Sequence, residues 1–260
     1  MRYLQFNRKW LYGIISVSVV VIVIVAGLII YPNLSKGNNE VVLSKYIKIS
    51  NNDLLSEDQS HIYFISWYGC PIGADNSWVL YEFMNSSKNI VNDVELHTSM
   101  KGSPGLLFLN GSGKQGENIS FSYAGREFTF TSLYMYNQTM TGSVYNQPIS
   151  SSSRVSFALS VLKDDLPYSV YEAAKEWQTE VPIVNNVTDS IATWCTYQGL
   201  PMLVTMLIIT GPAGTIIHFW YMYKPFPNTV SPKTVFKNLT SYSQITSAEQ
   251  QFTNAISQTI

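Results

Sequence analysis

Charge is scarce in this chain: Asp, Glu, Lys and Arg make up 13% of its 260 residues, about half the ~25% usual for soluble domains. With 16 basic against 17 acidic residues the net charge is -1, so there is no field with which to steer nucleic acid or an acidic partner, and nucleic-acid binding is not expected. Histidine is also rare. His61, His97 and His218 have no spacing that builds a metal site. No Ser-His-Asp set, Gly-rich phosphate loop or heptad repeat is legible, and neither metal nor cofactor is expected. Cysteine occurs twice, at Cys70 and Cys195, which leaves room for a single disulfide.

The chain is richer in hydroxyl and amide side chains, and one long apolar run stands near its start. Trp10 to Tyr31 contains no charged residue and has the ~20 apolar residues that a bilayer core of about 30 Å requires. Arg2, Arg8 and Lys9 precede it, whereas Lys36 alone follows within the next few residues. This bias puts residues 1–9 in the cytoplasm, residues 10–31 in the membrane, and everything beyond the 32–40 linker outside. A cleaved signal peptide is the competing reading. It fits less well, because Ala26-Gly27 is followed by four more apolar residues rather than by the end of the run.

Asn-x-Ser/Thr acceptors begin at Asn33, Asn85, Asn110, Asn118, Asn137, Asn186 and Asn238, all on the outer side of that anchor. They make the outer region a candidate glycoprotein. Sparse charge also suits an external acidic medium, where protonated carboxylates leave few cations to repel one another.

Residues 41–260 read as one α/β domain. Val41 to Ser50 is the first expected strand, and Ile62 to Trp67 is a nearly continuous apolar run suited to the centre of a mixed or parallel sheet. Asp75 to Met84 carries Trp78, Leu80, Tyr81 and Met84 on a helical period, with Pro71 acceptable in a first turn. Asn92 to Thr98 is expected as the second strand of a β-α-β unit. Short β-like runs at 106–110, 119–124 and 127–136 are broken by Gly-rich turns, and 140–153 reads as loop. Helices are expected at Ser169–Thr179 and Val187–Tyr197, the latter with Asp189 near its start. A hairpin of Met202–Thr210 and Thr215–Tyr223 turns at Gly211-Pro212-Ala213-Gly214, and a final helix spans Ser247–Ile260. That central turn also argues against a second membrane span over Leu203–Trp220.

The strongest chemical signal is Trp67-Tyr68-Gly69-Cys70-Pro71-Ile72-Gly73, a cysteine where a strand hands over to a helix. Unpaired N–H groups and the helix dipole at such a corner favour the thiolate. Phe64-x-x-Trp67 followed by Cys70-Pro71-x-Gly73, together with Gly199-Leu200-Pro201-Met202-Leu203, resembles the DsbA-like form of the thioredoxin fold. The Trp-Tyr-Gly-Cys-Pro-Ile-Gly-Ala core at 67–74 is similar to that of an uncharacterised archaeal family of membrane-anchored thioredoxin-like proteins. The resemblance covers roughly residues 58–100 and 165–260, leaving about 101–150 as a β-rich insertion. It implies a mixed sheet with flanking helices, Cys70 as nucleophilic sulfur, and Pro201 as a cis-proline holding a backbone edge open to substrate. Pro104 is the rival for that proline. Gly73 departs from the pattern, since a Cys-x-x-Cys pair would have its second sulfur there.

Two functions are therefore expected. One is thiol–disulfide exchange on exported or envelope proteins through Cys70, with Cys195 as resolving sulfur. The other is a non-enzymatic envelope component whose Cys70 and Cys195 form one stabilising disulfide, closing a loop of about 125 residues and contributing about 4–5 kcal/mol in the chain-entropy model. Asp75 is a candidate proton relay or capping carboxylate, and Trp67, Tyr68 and Trp78 are candidate groove or core aromatics.

Overall fold

The computed structural model describes residues 40–55, 60–86, 94–109, 118–184, 186–219, 226–227 and 229–260, with backbone alone for 186–188. The expected anchor and cytoplasmic segment, and all but the last residue of the linker, lie outside the described residues. Among the described residues no helix is long and apolar enough to cross a membrane.

The apolar run after Gln59 forms β2 (Ser60–Ser66), preceded by β1 (Tyr46–Ser50). Among the described residues six strands make one mixed sheet, and β2 lies inside it. Its partners are β6 (Arg126–Tyr134), which runs parallel to it, and β11 (Met206–Gly211), which runs antiparallel. β11 turns into β12 (Gly214–His218), β1 pairs with the far side of β12, and β5 (Asn118–Tyr123) pairs with β6 at the other edge. The order is β1-β12-β11-β2-β6-β5.

Strand periodicity divides the core into two faces. Ile62 and Phe64 of β2, with Leu207 and Ile209 of β11, pack against α1 (Pro71–Ser86) and α6 (Ser243–Ile256) through Val79, Leu80, Phe83, Phe252 and Ile256. Tyr63 and Ile65, with Met206 and Ile208, face α2 (Arg154–Asp165) and α3 (Tyr168–Thr179), meeting Ala158, Leu162, Val170, Ala174 and Trp177. Helices thus flank both faces of a mixed sheet.

Three expectations are corrected. The strand after α1 is not the parallel partner of β2. As β3 (Val94–Thr98) it pairs antiparallel with β4 (Pro104–Phe108) in a separate two-stranded ribbon. Glu95, Leu96 and Thr98 are exposed on β3, which suits an outer ribbon and not the sheet interior. Phe128 and Phe130 of β6 are instead buried, so the stretch taken as an insertion supplies two strands of the main sheet. The segment 187–197 is not one helix. Asn186–Ser190 forms β8, paired with Pro182–Ile183 (β7); a single turn follows, α4 (Ile191–Trp194), then the small ribbon β9 (Thr196–Tyr197) and β10 (Leu200–Pro201). The β-branched Val187 and Thr188 at its start favour strand.

The helix α2 follows the loop after β6 without having been expected. A short helix, α5 (Pro232–Lys237), also forms, with Pro232 at its start and the Ser231 hydroxyl accepting the Thr234 N–H at 3.2 Å.

Candidate functional site

Cys70 is the residue that caps α1. Its carbonyl accepts the Ala74 N–H at 2.9 Å, the first bond of the helix, and its sulfur accepts the Gly73 N–H at 3.3 Å. A cysteine thus occupies the place where Ser or Asp usually satisfies a helix's orphan donors. The sulfur also lies 3.0 Å from Thr205 Oγ1, and Thr205 Oγ1 lies 2.9 Å from Ser66 Oγ. Ser66 ends β2 and Thr205 directly precedes β11, so two adjacent strands of the sheet bring these hydroxyls to the helix start.

Burial decides the state of this thiol. Cys70 is 4% exposed, and desolvation raises its pKa more than the hydrogen bonds from Thr205, Gly73, Ile72 and Ser66 lower it. The helix start therefore does not leave Cys70 a ready thiolate, contrary to expectation, because the desolvation of a buried sulfur outweighs what the helix start and its hydrogen bonds return. Gly73 is held as glycine by the same hydroxyls: a Cβ there would overlap Ser66 Oγ and come within 3.2 Å of Thr205 Oγ1. Where a Cys-x-x-Cys site keeps its second sulfur, this chain keeps Ser66 and Thr205.

Pro201 does not act as a cis-proline. No cis peptide bond occurs among the described residues, and Pro201 sits exposed on β10, paired with Thr196. Pro104 is also trans. It starts β4, and its carbonyl accepts the Trp78 indole N–H at 2.9 Å. The residue that meets the cysteine from the strand side is Thr205, four positions beyond Pro201. The backbone edge beside it is closed: Gln178, fully buried on α3, donates Nε2 to Val204 O at 2.9 Å and accepts the Val204 N–H on Oε1 at 2.9 Å.

Cys195 follows α4 and donates its backbone N–H to Ile191 O at 2.9 Å. It is partly exposed and packs against the same core cluster as Cys70. Its thiol is pushed up to about 11, first by burial and then by the nearby charge of Cys70. Both thiols are free in this structure. The segment after Cys195 is pinned from α2: Arg154, 1% exposed, donates to Tyr197 O at 2.8 Å and Gln198 Oε1 at 3.2 Å, and its guanidinium lies 4.9 Å from the Tyr197 ring centre. The Tyr197 ring in turn lies 6.5 Å from that of Trp67.

The remaining candidates differ in burial. Trp78 is fully buried, Trp67 is 3% exposed, and Tyr68 packs on Tyr134 with ring centres 5.1 Å apart. Asp75 caps nothing. It is buried in α1 and accepts the Phe226 N–H, and burial pushes its carboxyl up to about 7. Asn85, Asn118 and Asn238 are exposed acceptors, Asn137 is part-buried, and Asn33 and Asn110 lie outside the described residues. Among the described residues no group of His, Cys, Asp and Glu is arranged to hold a metal ion.

Ser66, Thr205, Gln178 and Arg154 were not singled out in the sequence. Ser66 adjoins the Trp67-to-Gly73 motif, and a polar residue ending an apolar central strand is a usable signal. The other three carry no local signature.

No curated protein and no solved structure matches the chain. Its family is nonetheless plain: residues 45–258 match a domain of unknown function, DUF929, and the chain belongs to that family.

Proposed function

We propose that this is a non-enzymatic, thioredoxin-like component of the cell envelope, tethered by residues 10–31 with its domain outside, which holds other envelope or exported proteins and closes Cys70 to Cys195 as a stabilising disulfide. The observation that carries this reading is that Cys70 serves as a 4% exposed helix cap with Ser66 and Thr205 in place of a second sulfur. A sulfur so placed is a poor attacking group toward a folded or extended substrate. The thioredoxin-like reading draws on the strand pairings: β2 parallel to β6 and antiparallel to β11, a β11–β12 hairpin, a closing helix, and Cys-Pro at the start of the helix after β2. The outward placement draws on the apolar run and its flanking charges.

Thiol–disulfide exchange on exported proteins is the second reading, favoured by the partial exposure of Cys195 beside Cys70. One experiment separates the two. The full chain in detergent micelles is mapped by non-reducing mass spectrometry and assayed for reduction of a protein disulfide by a thiol donor. The expected result is a 70–195 linked peptide and no turnover above the donor's own background. Multiple turnovers that vanish in Cys70→Ser would replace the first reading with the second.

A further inference from the structure

The two cysteines are not equivalent, and their difference has a chemical direction. Cys70 is walled in by the first turn of α1, by Thr205 and by Ser66, with Gly73 N–H and Thr205 Oγ1 at 3.3 Å and 3.0 Å from its sulfur. The backbone edge through which an extended chain could approach it is filled by the Gln178 amide. Cys195 is partly exposed, between a one-turn helix and a ribbon that reach the surface. Its neighbour Trp194 is 52% exposed and Leu200 is 36% exposed. A reagent arriving from solvent therefore has freer access to Cys195 than to Cys70.

We infer that Cys195 is the entry sulfur of the pair, the one that forms mixed disulfides with low-molecular-weight or protein thiols outside the cell, and that Cys70 is the buried sulfur that closes or releases the bond. This rests on the proposed Cys70–Cys195 disulfide and adds the order of events. In closure, Cys195 loses its proton to solvent and attacks one sulfur of an external disulfide R–S–S–R. The S–S bond breaks, one R–S⁻ leaves and is protonated, and a Cys195–S–S–R bond remains. Cys70 then gives up its proton and attacks Cys195 Sγ, expelling the second R–S⁻. Two protein thiols are oxidised to one disulfide while one external disulfide is reduced to two thiols.

Opening is the reverse. An external thiolate attacks Cys195 Sγ and Cys70 departs as a thiolate. The groups that would receive that charge are already in place, since Thr205 Oγ1 and Gly73 N–H stand within hydrogen-bonding distance of the Cys70 sulfur. The segment that carries Cys195 remains attached when the bond opens, because Arg154 holds Tyr197 O and Gln198 independently of either sulfur.

The test uses the full chain in micelles, fully reduced and then exposed to oxidised glutathione. Cys70→Ser should accumulate a glutathione adduct on Cys195. Cys195→Ser should keep Cys70 as a free thiol and be modified at least tenfold more slowly. Equal or faster modification of Cys70 in Cys195→Ser would overturn the inference. A brief pulse of iodoacetamide on the reduced wild-type chain, read by peptide mapping, gives the same discrimination without a variant: label appears on Cys195 first if the inference holds and on Cys70 first if it fails. Whether the wild-type chain forms the 70–195 bond at all is read separately from its non-reducing map, so failure of the disulfide reading and failure of the assigned order are told apart.

Discussion

The side-chain amide of Gln178 pairs with the backbone of Val204 as a neighbouring strand would, satisfying its C=O and its N–H at 2.9 Å each. Val204 immediately precedes Thr205, the residue whose hydroxyl meets the Cys70 sulfur, so a helix on one face of the sheet sets the position of a contact at the sheet's end. Removing the amide leaves two buried backbone groups unpaired, at a cost of about 1–3 kcal/mol each. Gln178→Ala should therefore lower the stability of the domain by about 2–6 kcal/mol in urea titration, and the reduced protein should show faster alkylation of Cys70 as the Val204–Thr205 segment loosens. Unchanged Cys70 reactivity in a folded Gln178→Ala chain would show that the clamp does not guard the sulfur.

Gly73 and Ser66 form a second coupled pair. A side chain at 73 would overlap Ser66 Oγ, and neither helix nor strand can move without disturbing core residues such as Ala74 and Ile65. Gly73→Cys, which writes a Cys-x-x-Cys motif into the chain, should destabilise it by about 1–3 kcal/mol through overpacking. Adding Ser66→Gly should recover part of that loss, giving a favourable coupling energy in a double-mutant cycle. Additivity of the two changes would mean that the strand and the helix do not compete for this space.

Much of this corner was legible in the residues. Ile62 to Trp67, the Cys-Pro helix start and the hairpin around Gly211 to Gly214 announce themselves because an apolar run meets a turn residue or a helix-starting proline. β6 was readable as a strand but not as the parallel neighbour of β2, since alternation of Phe128 and Phe130 with Thr129 and Thr131 fits any half-buried strand and parallel pairing leaves no local mark. The helix α2 was hidden by its Val, Ser and Phe content, which is weakly helical on its own, and is held by burying Ala158 and Leu162 against the sheet. Thr205, Gln178 and Arg154 are ordinary polar residues until the fold buries them; only the requirement that buried polar groups be paired makes them meaningful.

Two buried titratable groups give opposite pH dependences. The Asp75 carboxyl is raised from 3.8 to about 7 by burial, so between about pH 4 and pH 7 the folded chain keeps a proton that the unfolded chain has lost, and stability falls as pH rises. His218 is lowered from 6.5 to about 4 by burial. Across about pH 4 to 6.5 the unfolded chain holds the extra proton, and stability rises with pH. Asp75→Asn should therefore make the slope of the profile more positive over this range. His218→Phe, which can keep the stacking seen against Tyr46 at 4.1 Å between ring centres, should give a profile that falls. Glu82, Asp165 and Glu176, all shifted upward chiefly by burial, act in the same direction as Asp75. Urea midpoints at half-unit steps from pH 4 to pH 8 test both signs, and parallel profiles for the two variants would refute the assignment.

The glycan acceptors divide by how their amides are used. Asn137 spends its side chain inside the loop that follows β6: Oδ1 accepts the N–H groups of Thr139 and Thr141 at 3.3 Å and 3.1 Å, and Nδ2 donates to Asn146 Oδ1 at 3.1 Å. A glycan bonded to Nδ2 would have to be fitted beside the Asn146 contact, in a loop where Gly142 packs so close that a Cβ added there would come within 3.1 Å of that nitrogen. Asn85, at the end of α1, and Asn118, on the outer strand β5, are exposed, with Asn118 Oδ1 accepting the Thr131 hydroxyl at 2.7 Å; Asn238, beyond α5, is exposed but donates Nδ2 to Thr234 O at 2.9 Å. If the chain is exported and glycosylated, peptide mapping should find sugar at Asn85 or Asn118 and a bare Asn137. Asn137→Ala should cost about 0.5–1.5 kcal/mol because it removes the acceptor of the exposed Thr139 and Thr141 N–H groups, whereas Asn85→Ala should change stability by less than about 0.5 kcal/mol. A folded chain carrying a glycan on Asn137 would show that this loop can be built without its central amide.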